Sequence, residues 1–330
     1  MDLILTDVSG NEIRAILDAE VDFDLGDTND FVLTVSRQGY PDDIVNMSRV
    51  FRPGSEFGGL IRRKGTNTTD DTVTFGGYVW RGLLQHKVIS PPAGQDYATA
   101  TGELNTVIAS LVDPEFGGLF VTSSEDTGVS VSGYQFDRYC TLLDGLTKML
   151  KSVGYRLHLE YVQGTGGTAG YVSIGAVPIV DYSSSIELSG DMQFNFAAQA
   201  INDGVNHLIC LGEGELKDRL VQHLYVQADG TISTSTQYYT GVDEIVDIYD
   251  FPGADTATLE EYAEPELRDL QNSVSFSMKI VTLNFDVEIG DIVGGRDYIT
   301  GIVMAKPITG KVWTVKSGTE KVDYTLEGED

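Results

Sequence analysis

The chain has 330 residues, of which 41% are hydrophobic and 22% are charged, and this balance predicts a globular protein of two or three domains. Its 50 acidic residues against 22 basic ones give a net charge of −28, which excludes a surface that grips nucleic acid phosphates. No apolar run reaches the roughly 18 residues of a transmembrane helix. The N-terminus lacks the basic region of a signal peptide, so we expect synthesis and folding in a cytoplasm.

Residues 2–90 carry short β-prone runs separated by glycine, serine and asparagine turns. This spacing predicts an all-β barrel or sandwich. The predicted strands cover residues 3–5, 13–17, 21–25, 31–35, 49–51, 59–63, 72–75 and 77–84.

The hydrophobic period changes after residue 97. Apolar residues at positions 104, 107, 108 and 111 share one helical face and predict a helix that starts near Thr101 and stops before Pro114. Steps of three and four between Phe136 and Val153 predict a second helix that ends at Gly154. Strands predicted over 155–162 and 171–177 complete a small α/β insert.

The stretch at residues 205–230 joins this insert to a second β-rich region. Alternating side chains predict a strand at 205–211, a glycine break follows, and a β-prone run resumes at 220–227. A capping box from Thr258 to Glu261 opens a helix near 256–272, which Pro265 kinks or restarts. Further strands are predicted over 274–278, 292–293, 298–303, 311–315 and 321–326.

Two motifs suggest ligands but fail their templates. The aspartates from Asp22 to Asp30 resemble a calcium loop, yet Asp27 stands in place of the turn glycine and Leu33 in place of the closing glutamate. The run QGTGGTAG at 163–170 resembles a dinucleotide loop, but a strand follows it where a helix N-terminus is needed. A strand–turn–strand and a flexible hairpin loop explain the two motifs better.

No catalytic motif is recognisable in the chain. None of the four histidines has the HExxH spacing of a metal site, and His207 is interpreted as an ordinary sheet residue. No GxSxG elbow presents a serine nucleophile. The two cysteines, Cys140 and Cys210, lack metal-like spacing and are predicted to be buried reduced thiols. We therefore predict no catalytic, metal or cofactor site.

Four separate segments together resemble one protein family. They are VISPPAGQD at 88–96, LGEGELKDR at 211–219, DIYD at 247–250 and IGDIVGGRDYITGI at 289–302. In this order, and over nearly the full chain, they are similar to the tail-tip or baseplate hub proteins of bacteriophages and prophages of Gram-positive bacteria. That family is related in fold to the N-terminal region of tail-associated lysins.

The resemblance implies a mainly β fold with an α+β insert, in which two tail-tube-like β-barrel domains flank a small α/β domain. We accordingly expect a first barrel at residues 1–100, the insert at 101–198 and a second barrel at 199–330. Three chains would form a homotrimeric ring that adapts a six-fold tail tube to a three-fold tail tip or spike. No sequence repeat supports the duplication, which rests on the resemblance alone.

The same resemblance implies a structural protein of the virion tail tip, not an enzyme, assembled in the host bacterial cytoplasm. Its implied partners are the tail tube and distal tail proteins, the tape measure protein, and a tail spike or receptor-binding protein. DNA would pass through the ring without specific binding. An acidic channel wall would suit this passage, because each Lys or Arg contact with phosphate adds affinity and slows the DNA.

The matching motif positions include charged residues that are candidates for contact with a subunit or neighbour: Glu215, Lys217, Asp218, Arg219, Arg296 and Asp297. Motif glycines such as Gly212, Gly214 and Gly290 are expected in positive-φ turns or where backbones pack closely. A solvated hairpin explains the 211–219 motif equally well. Two other functions stay open, a tail-tip adhesin that binds a host surface glycan through the insert and a hub with residual cell-wall lytic activity.

Overall fold

The computed structural model describes residues 3–38, 42–166, 168–183, 187–188, 195–279, 287–296, 299–301 and 303–327. The fold is mainly β, which confirms the coarse prediction. The chain divides into two compact units, the first comprising Met1–Phe196, Met278–Arg296 and Ala305–Glu329 and the second Ala197–Ser277, Asp297–Met304 and Asp330. The two barrels and the three-domain boundaries stay predictions.

The described strands run through the whole chain. They are β1 (Leu3–Thr6), β2 (Glu12–Ile16), β3 (Ala19–Leu25), β4 (Asp30–Ser36), β5 (Arg49–Phe51), β6 (Gly58–Asn67), β7 (Thr72–Val79), β8 (Thr99–Glu103), β9 (Phe120–Thr122), β10 (Ser130–Gln135), β11 (Tyr155–Val162), β12 (Tyr171–Pro178), β13 (Glu187–Leu188), β14 (Asn195–Ile201), β15 (His207–Leu211), β16 (Val221–Val226), β17 (Ile232–Ser233), β18 (Val246–Asp250), β19 (Ser273–Lys279), β20 (Ile292–Arg296), β21 (Val303–Lys316) and β22 (Thr319–Leu326).

The described α-helices are α1 (Trp80–Gln85), α2 (Leu104–Val112), α3 (Leu142–Lys151) and α4 (Thr256–Leu270). Short 3-10 turns lie at Asp113–Glu115, Leu216–Asp218 and Gly241–Asp243. Among the described segments, no helix combines the length and hydrophobicity needed to cross a bilayer.

The first unit is built on a large sheet with the strand order β13-β20-β21-β3-β4-β7-β6-β5-β1-β2, and β22 pairs with β21. β3 buries Val21, Phe23 and Leu25 on alternate positions, as a strand with one face in the core requires. β21 comes from the far end of the chain and pairs antiparallel with β3, which places Trp313 opposite Phe23. Strands from both ends of the chain therefore have to pair before this sheet is complete.

The predicted strand at residues 77–84 is wrong beyond Val79, because α1 begins at Trp80. Trp80, Leu83 and Leu84 are buried at the spacing of a helical face. Gly82 permits the close approach of the neighbouring chain, since a Cβ there would lie 2.2 Å from the Asn29 carbonyl oxygen. This β-prone run therefore forms a helix, because a helix places Trp80, Leu83 and Leu84 on one face toward the core.

The insert packs α2 and α3 with a three-stranded sheet in which β12 lies between β9 and β11. The predicted strands at 155–162 and 171–177 are confirmed as an antiparallel hairpin. Both helices begin later than predicted, because Glu103 caps α2 and Thr141 caps α3 through its hydroxyl, which accepts from the Asp144 N–H at 3.0 Å. Gly154 follows α3 with φ +76°, as the sequence predicts.

Buried charged side chains join the large sheet to the insert. Arg81 of α1 forms an ion pair with Glu56, both side chains being about 5% exposed, and its Nη2 also donates to the Leu157 carbonyl of the insert at 3.4 Å. Arg49 donates through Nη1 to the Gly170 carbonyl at 2.5 Å and through Nη2 to the Ser9 carbonyl at 3.1 Å. Because a buried charge is costly without partners, these contacts fix the insert against the sheet.

Asp291, in the late glycine-rich motif, fastens the returning chain to the insert. Its carboxylate is 1% exposed, lies 2.7 Å from Arg156 Nε, and accepts from the backbone N–H groups of Val180 and Glu288 at 3.0 Å each. Gly290 has φ +101°, and a Cβ there would lie 2.8 Å from the Cβ of Arg156. The motif glycine is thus explained by both backbone conformation and close packing.

Helix α4, Thr256–Leu270, confirms the helix predicted near 256–272, but the predicted capping box at Thr258 is wrong. The side chain of Asp255 accepts from the Thr258 N–H at 2.9 Å, so Asp255 is the N-cap. Pro265 lies inside a helix that continues to Leu270. The aspartate satisfies an orphan N–H at the helix start, and the Thr258 hydroxyl is not needed for this.

Glu103 provides the clearest pH-dependent contribution to stability. Burial alone would raise its pKa, but hydrogen bonds from Thr127 and from the backbone N–H of Thr106 lower the pKa to about 2. A carboxylate with a lowered pKa in the folded state stabilises the fold above its unfolded value near 4.5, and this stabilisation is lost as the pH falls toward 2.

Glu103→Gln is therefore expected to reduce the free energy of unfolding by about 1 kcal/mol at pH 7, the usual magnitude of a lost helix cap. The deficit should shrink between about pH 4.5 and pH 2. Urea unfolding followed by tryptophan fluorescence measures this, since Trp80 and Trp313 both lie in the first unit. Glu125→Gln, an exposed neighbour, is the control. If Glu103→Gln does not lower the free energy of unfolding at pH 7, or lowers it equally down to pH 2, the proposed stabilising role of the Glu103 carboxylate is wrong.

Candidate assembly loop

The second unit contains a four-stranded sheet with the order β17-β16-β15-β18 and one face against α4. β15 and β16 are antiparallel, with Ile209 opposite His223, and β18 runs parallel to β15. The core between sheet and helix consists of small and medium apolar side chains: Leu208, Cys210, Leu224, Leu259, Ala263 and Leu267. The predicted order of strand, glycine break and second strand at 205–230 is confirmed.

The connection from β15 to β16, residues 212–220, is the candidate assembly loop. Its two ends are paired, because the Gly212 N–H donates to Leu220 O at 2.9 Å and the Leu220 N–H donates to Glu213 O at 2.7 Å. The Glu213 N–H also donates to Ala254 O at 2.9 Å. These bonds hold the loop in one conformation against the segment that precedes α4.

Glycine is required at two positions of the assembly loop. Gly214 has φ +93°, and a Cβ there would lie 2.4 Å from Asp218 O. At Gly212 a Cβ would lie 2.6 Å from Ala254 O, although its φ is ordinary. The expectation that these glycines serve turns or close packing is confirmed at both positions.

Arg219 stabilises the loop from within. Its guanidinium pairs with the Asp250 carboxylate at the end of β18 and donates through Nε to Gly212 O at 3.1 Å. The Arg219 side chain is 24% exposed. Of the charged residues that the sequence singles out, this one is committed to an internal contact.

Glu215, Lys217 and Asp218 are exposed on the outer turn of the loop. Arg296 ends β20 in the first unit and is exposed, whereas Asp297 lies outside the described residues. A role in contacts with other chains stays a prediction for all of these residues.

Sequence reasoning missed Leu216, at the tip of the assembly loop. Its side chain is 93% exposed, and its backbone has φ +54° at the start of the 3-10 turn Leu216–Asp218. A single apolar residue between charged neighbours produces no hydrophobic periodicity, so the sequence could not predict whether Leu216 is buried or exposed. The only sequence cue is its position between Gly214 and the charged KDR run.

A partly buried chain of polar side chains crosses the face of the sheet opposite α4. His207 Nδ1 lies 2.7 Å from Glu244 Oε1, and His207 Nε2 lies 2.8 Å from His223 Nδ1. The Tyr225 ring lies 4.5 Å from the His207 ring, centroid to centroid. His207 is thus more than an ordinary sheet residue, because it ties β15 to β16 and to the segment before β18.

Both cysteines are free thiols; the predicted burial is confirmed for Cys210 and is wrong for Cys140, which is half-buried. Burial raises the pKa of Cys210 to about 11. A thiol with so high a pKa stays protonated at neutral pH and is a poor nucleophile. Cys210 therefore acts as a core side chain between β15 and α4.

Comparison with known proteins gives a match at the level of the fold. No protein-family model matches the sequence, and no curated protein matches it either. Among solved structures, the 43 kDa tail protein of prophage MuSo2 from Shewanella oneidensis is similar with a TM-score of 0.53 and 13% identity, over 99% of this chain and 98% of that one.

Two further structures are similar over the full length. The prophage tail protein gp18 from Listeria monocytogenes EGD-e has a TM-score of 0.52 and 12% identity, covering 100% of this chain and 96% of its own. A chain of the phage P2 baseplate in its activated conformation has a TM-score of 0.50 and 10% identity, covering 100% and 99%. The chain therefore shares its fold with phage tail and baseplate proteins.

The Arg219–Asp250 pair should stabilise the second unit. We expect Arg219→Ala and Asp250→Ala each to lower its free energy of unfolding, with a coupling of about 0.5–1 kcal/mol for a partly exposed pair. Far-UV circular dichroism must follow the transition, because neither tryptophan lies in this unit. Lys217→Ala is the matched control for loss of a positive charge. A coupling of zero, or an equal loss in Lys217→Ala, would contradict the role of Arg219.

Proposed function

We propose that the protein is a structural hub of a phage tail tip, and that three copies form a ring between a six-fold tail tube and a three-fold tip or spike. The observation that carries the proposal is the similarity in fold to tail proteins over the full length of both chains. The match to the MuSo2 protein covers 99% of this chain and 98% of that one. A fold shared over both whole chains favours a role as a complete tail component. The proposal includes no catalytic activity.

The ring would present two tail-tube-like β-barrels from each chain. The β-rich character of the chain supports this part of the proposal, since an 11-stranded sheet lies in the first unit and a four-stranded sheet in the second. The proposed neighbours are the tail tube and distal tail proteins, the tape measure protein, and a spike or receptor-binding protein. The proposed location is the tail tip of the virion.

The net charge of −28 fits a channel through which DNA passes without being retained. Each Lys or Arg contact with a phosphate releases counterions and adds affinity, so a wall with few such contacts lets DNA slide. In this proposal part of the acidic surface lines the channel. The same charge also opposes the assembly of three like chains, and this repulsion makes the ring sensitive to salt.

The test is the mass and symmetry of the purified protein. Light scattering is expected to give about three times the 35.9 kDa chain mass, and electron microscopy of tails should place a three-fold ring at the tip. Raising the salt from about 0.01 M to about 0.15 M, where the Debye length falls from about 30 Å to about 8 Å, should strengthen the trimer.

Two results would overturn this proposal. One is a protein that stays monomeric at every salt concentration and never joins a tail. The other is an assembly with a symmetry other than three-fold. If added salt weakens the trimer, ion pairs between chains, and not charge repulsion, are the dominant electrostatic effect. The argument from the net charge would then be lost.

A further inference from the structure

Leu216 combines nearly complete exposure with a left-handed backbone, and Tyr139, with φ +58° and 60% exposure, shows a milder form of the same combination. A single exposed leucine is ordinary on a protein surface, but Leu216 also has a left-handed backbone, with φ +54°. Residues with a Cβ are disfavoured in this region, and those that do adopt it are enriched in asparagine and aspartate. The leucine therefore destabilises the folded loop through its backbone and gains almost nothing by burial, since 93% of its surface is exposed.

The loop does not need Leu216 for its shape. Its ends are held by the backbone pairs between Gly212, Glu213 and Leu220, and the far side is held by Arg219. The Leu216 carbonyl accepts from the Arg219 N–H at 3.3 Å, a bond that any residue at this position could make. A strained residue that the fold does not require indicates a use outside the fold.

The charges around Leu216 indicate what it contacts. Glu213, Glu215 and Asp218 are exposed beside it, against the single positive charge of Lys217. A second copy of this chain also carries a charge of −28 and would be repelled from such a tip. The complementary surface is one with an apolar socket rimmed by lysine or arginine.

We propose that Leu216 inserts into an apolar socket with a basic rim on a different tail protein. This inference rests on the proposed function, because it requires a tail partner, and it assigns the assembly loop to a contact with that partner and not to the contact between copies. Leu216 supplies the apolar anchor, and Glu215 and Asp218 pair with the rim. The rigid loop presents the anchor with little conformational entropy left to lose on binding.

Two substitutions separate the side chain from the backbone. Leu216→Ala removes the apolar side chain and keeps the backbone strain, so the folding equilibrium constant of the second unit should stay within about twofold. Leu216→Gly removes both, and relief of the left-handed strain, partly offset by the larger unfolded-state entropy of glycine, should raise that constant roughly threefold to tenfold. Far-UV circular dichroism during urea unfolding measures both.

Assembly is measured by adding purified full-length protein to tails prepared without this chain and scoring the concentration that restores half of the complete tails. Both Leu216 variants are expected to need at least about ten times more protein, the effect of losing one buried leucine at an interface. Lys217→Ala, the matched exposed neighbour, should stay within about twofold. The double variant Glu215→Gln with Asp218→Asn should need more protein and lose the salt dependence of the contact.

The outcomes separate this inference from the proposed function. If wild-type protein restores tails and the Leu216 variants restore them equally well, the socket is wrong while the hub proposal stands. If wild-type protein forms no tails, the hub proposal fails first. Should Leu216→Gly lower the stability of the second unit, the leucine serves the fold and the inference is overturned. If the Glu215→Gln with Asp218→Asn variant restores tails with the same efficiency and the same salt dependence as the wild type, the basic rim is overturned.

Discussion

The structure depends on one buried carboxylate that fastens the end of the chain to its middle. Asp291 binds Arg156 of β11 and two backbone N–H groups, and the segment that carries it leads to β21, which pairs with β3. Removing one partner of such a buried pair costs about 3–5 kcal/mol, because the other charge is left uncompensated. The first unit is thus held together by residues far apart in the sequence, and residues 197–277 form an excursion between two of its segments.

The excursion has its own core and a loop whose ends are held by backbone hydrogen bonds, and these two properties leave the tip of the loop free of a structural role. The α4 helix packs on one face of the sheet, while the polar chain from Glu244 through His207 to His223 ties the strands together on the other. With the loop ends held by backbone bonds and Arg219, a leucine at the tip has no structural duty. The surrounding contacts tolerate its left-handed backbone, which is consistent with the proposed role of the side chain in binding.

Local sequence patterns predicted the elements whose structure depends on residues close in sequence. The remaining features depend on contacts between residues far apart in the sequence. The alternation that buries Phe23 and the hairpin of β11 and β12 follow from period-two side chains. The helix at Trp80 was missed, because its β-prone residues are turned by core packing and not by propensity. In the candidate site, the glycines were predictable, but the pairing of Arg219 with Asp250, 31 positions away, was not. Leu216 was not predicted, because neither side-chain exposure nor a left-handed backbone produces a periodic pattern in the sequence.

The most direct test of this account is hydrogen exchange in the full chain after Asp291→Ala. Amide protons of β11, β12 and β21 should lose protection by about 3–5 kcal/mol, because Arg156 loses its partner and two backbone donors are left without an acceptor. Asp96→Ala, which removes an exposed aspartate of the same unit, should change these amides by less than about 0.5 kcal/mol. Unchanged protection in Asp291→Ala, or equal losses in both variants, would contradict the claim that this carboxylate fastens the end of the chain to the middle of the first unit.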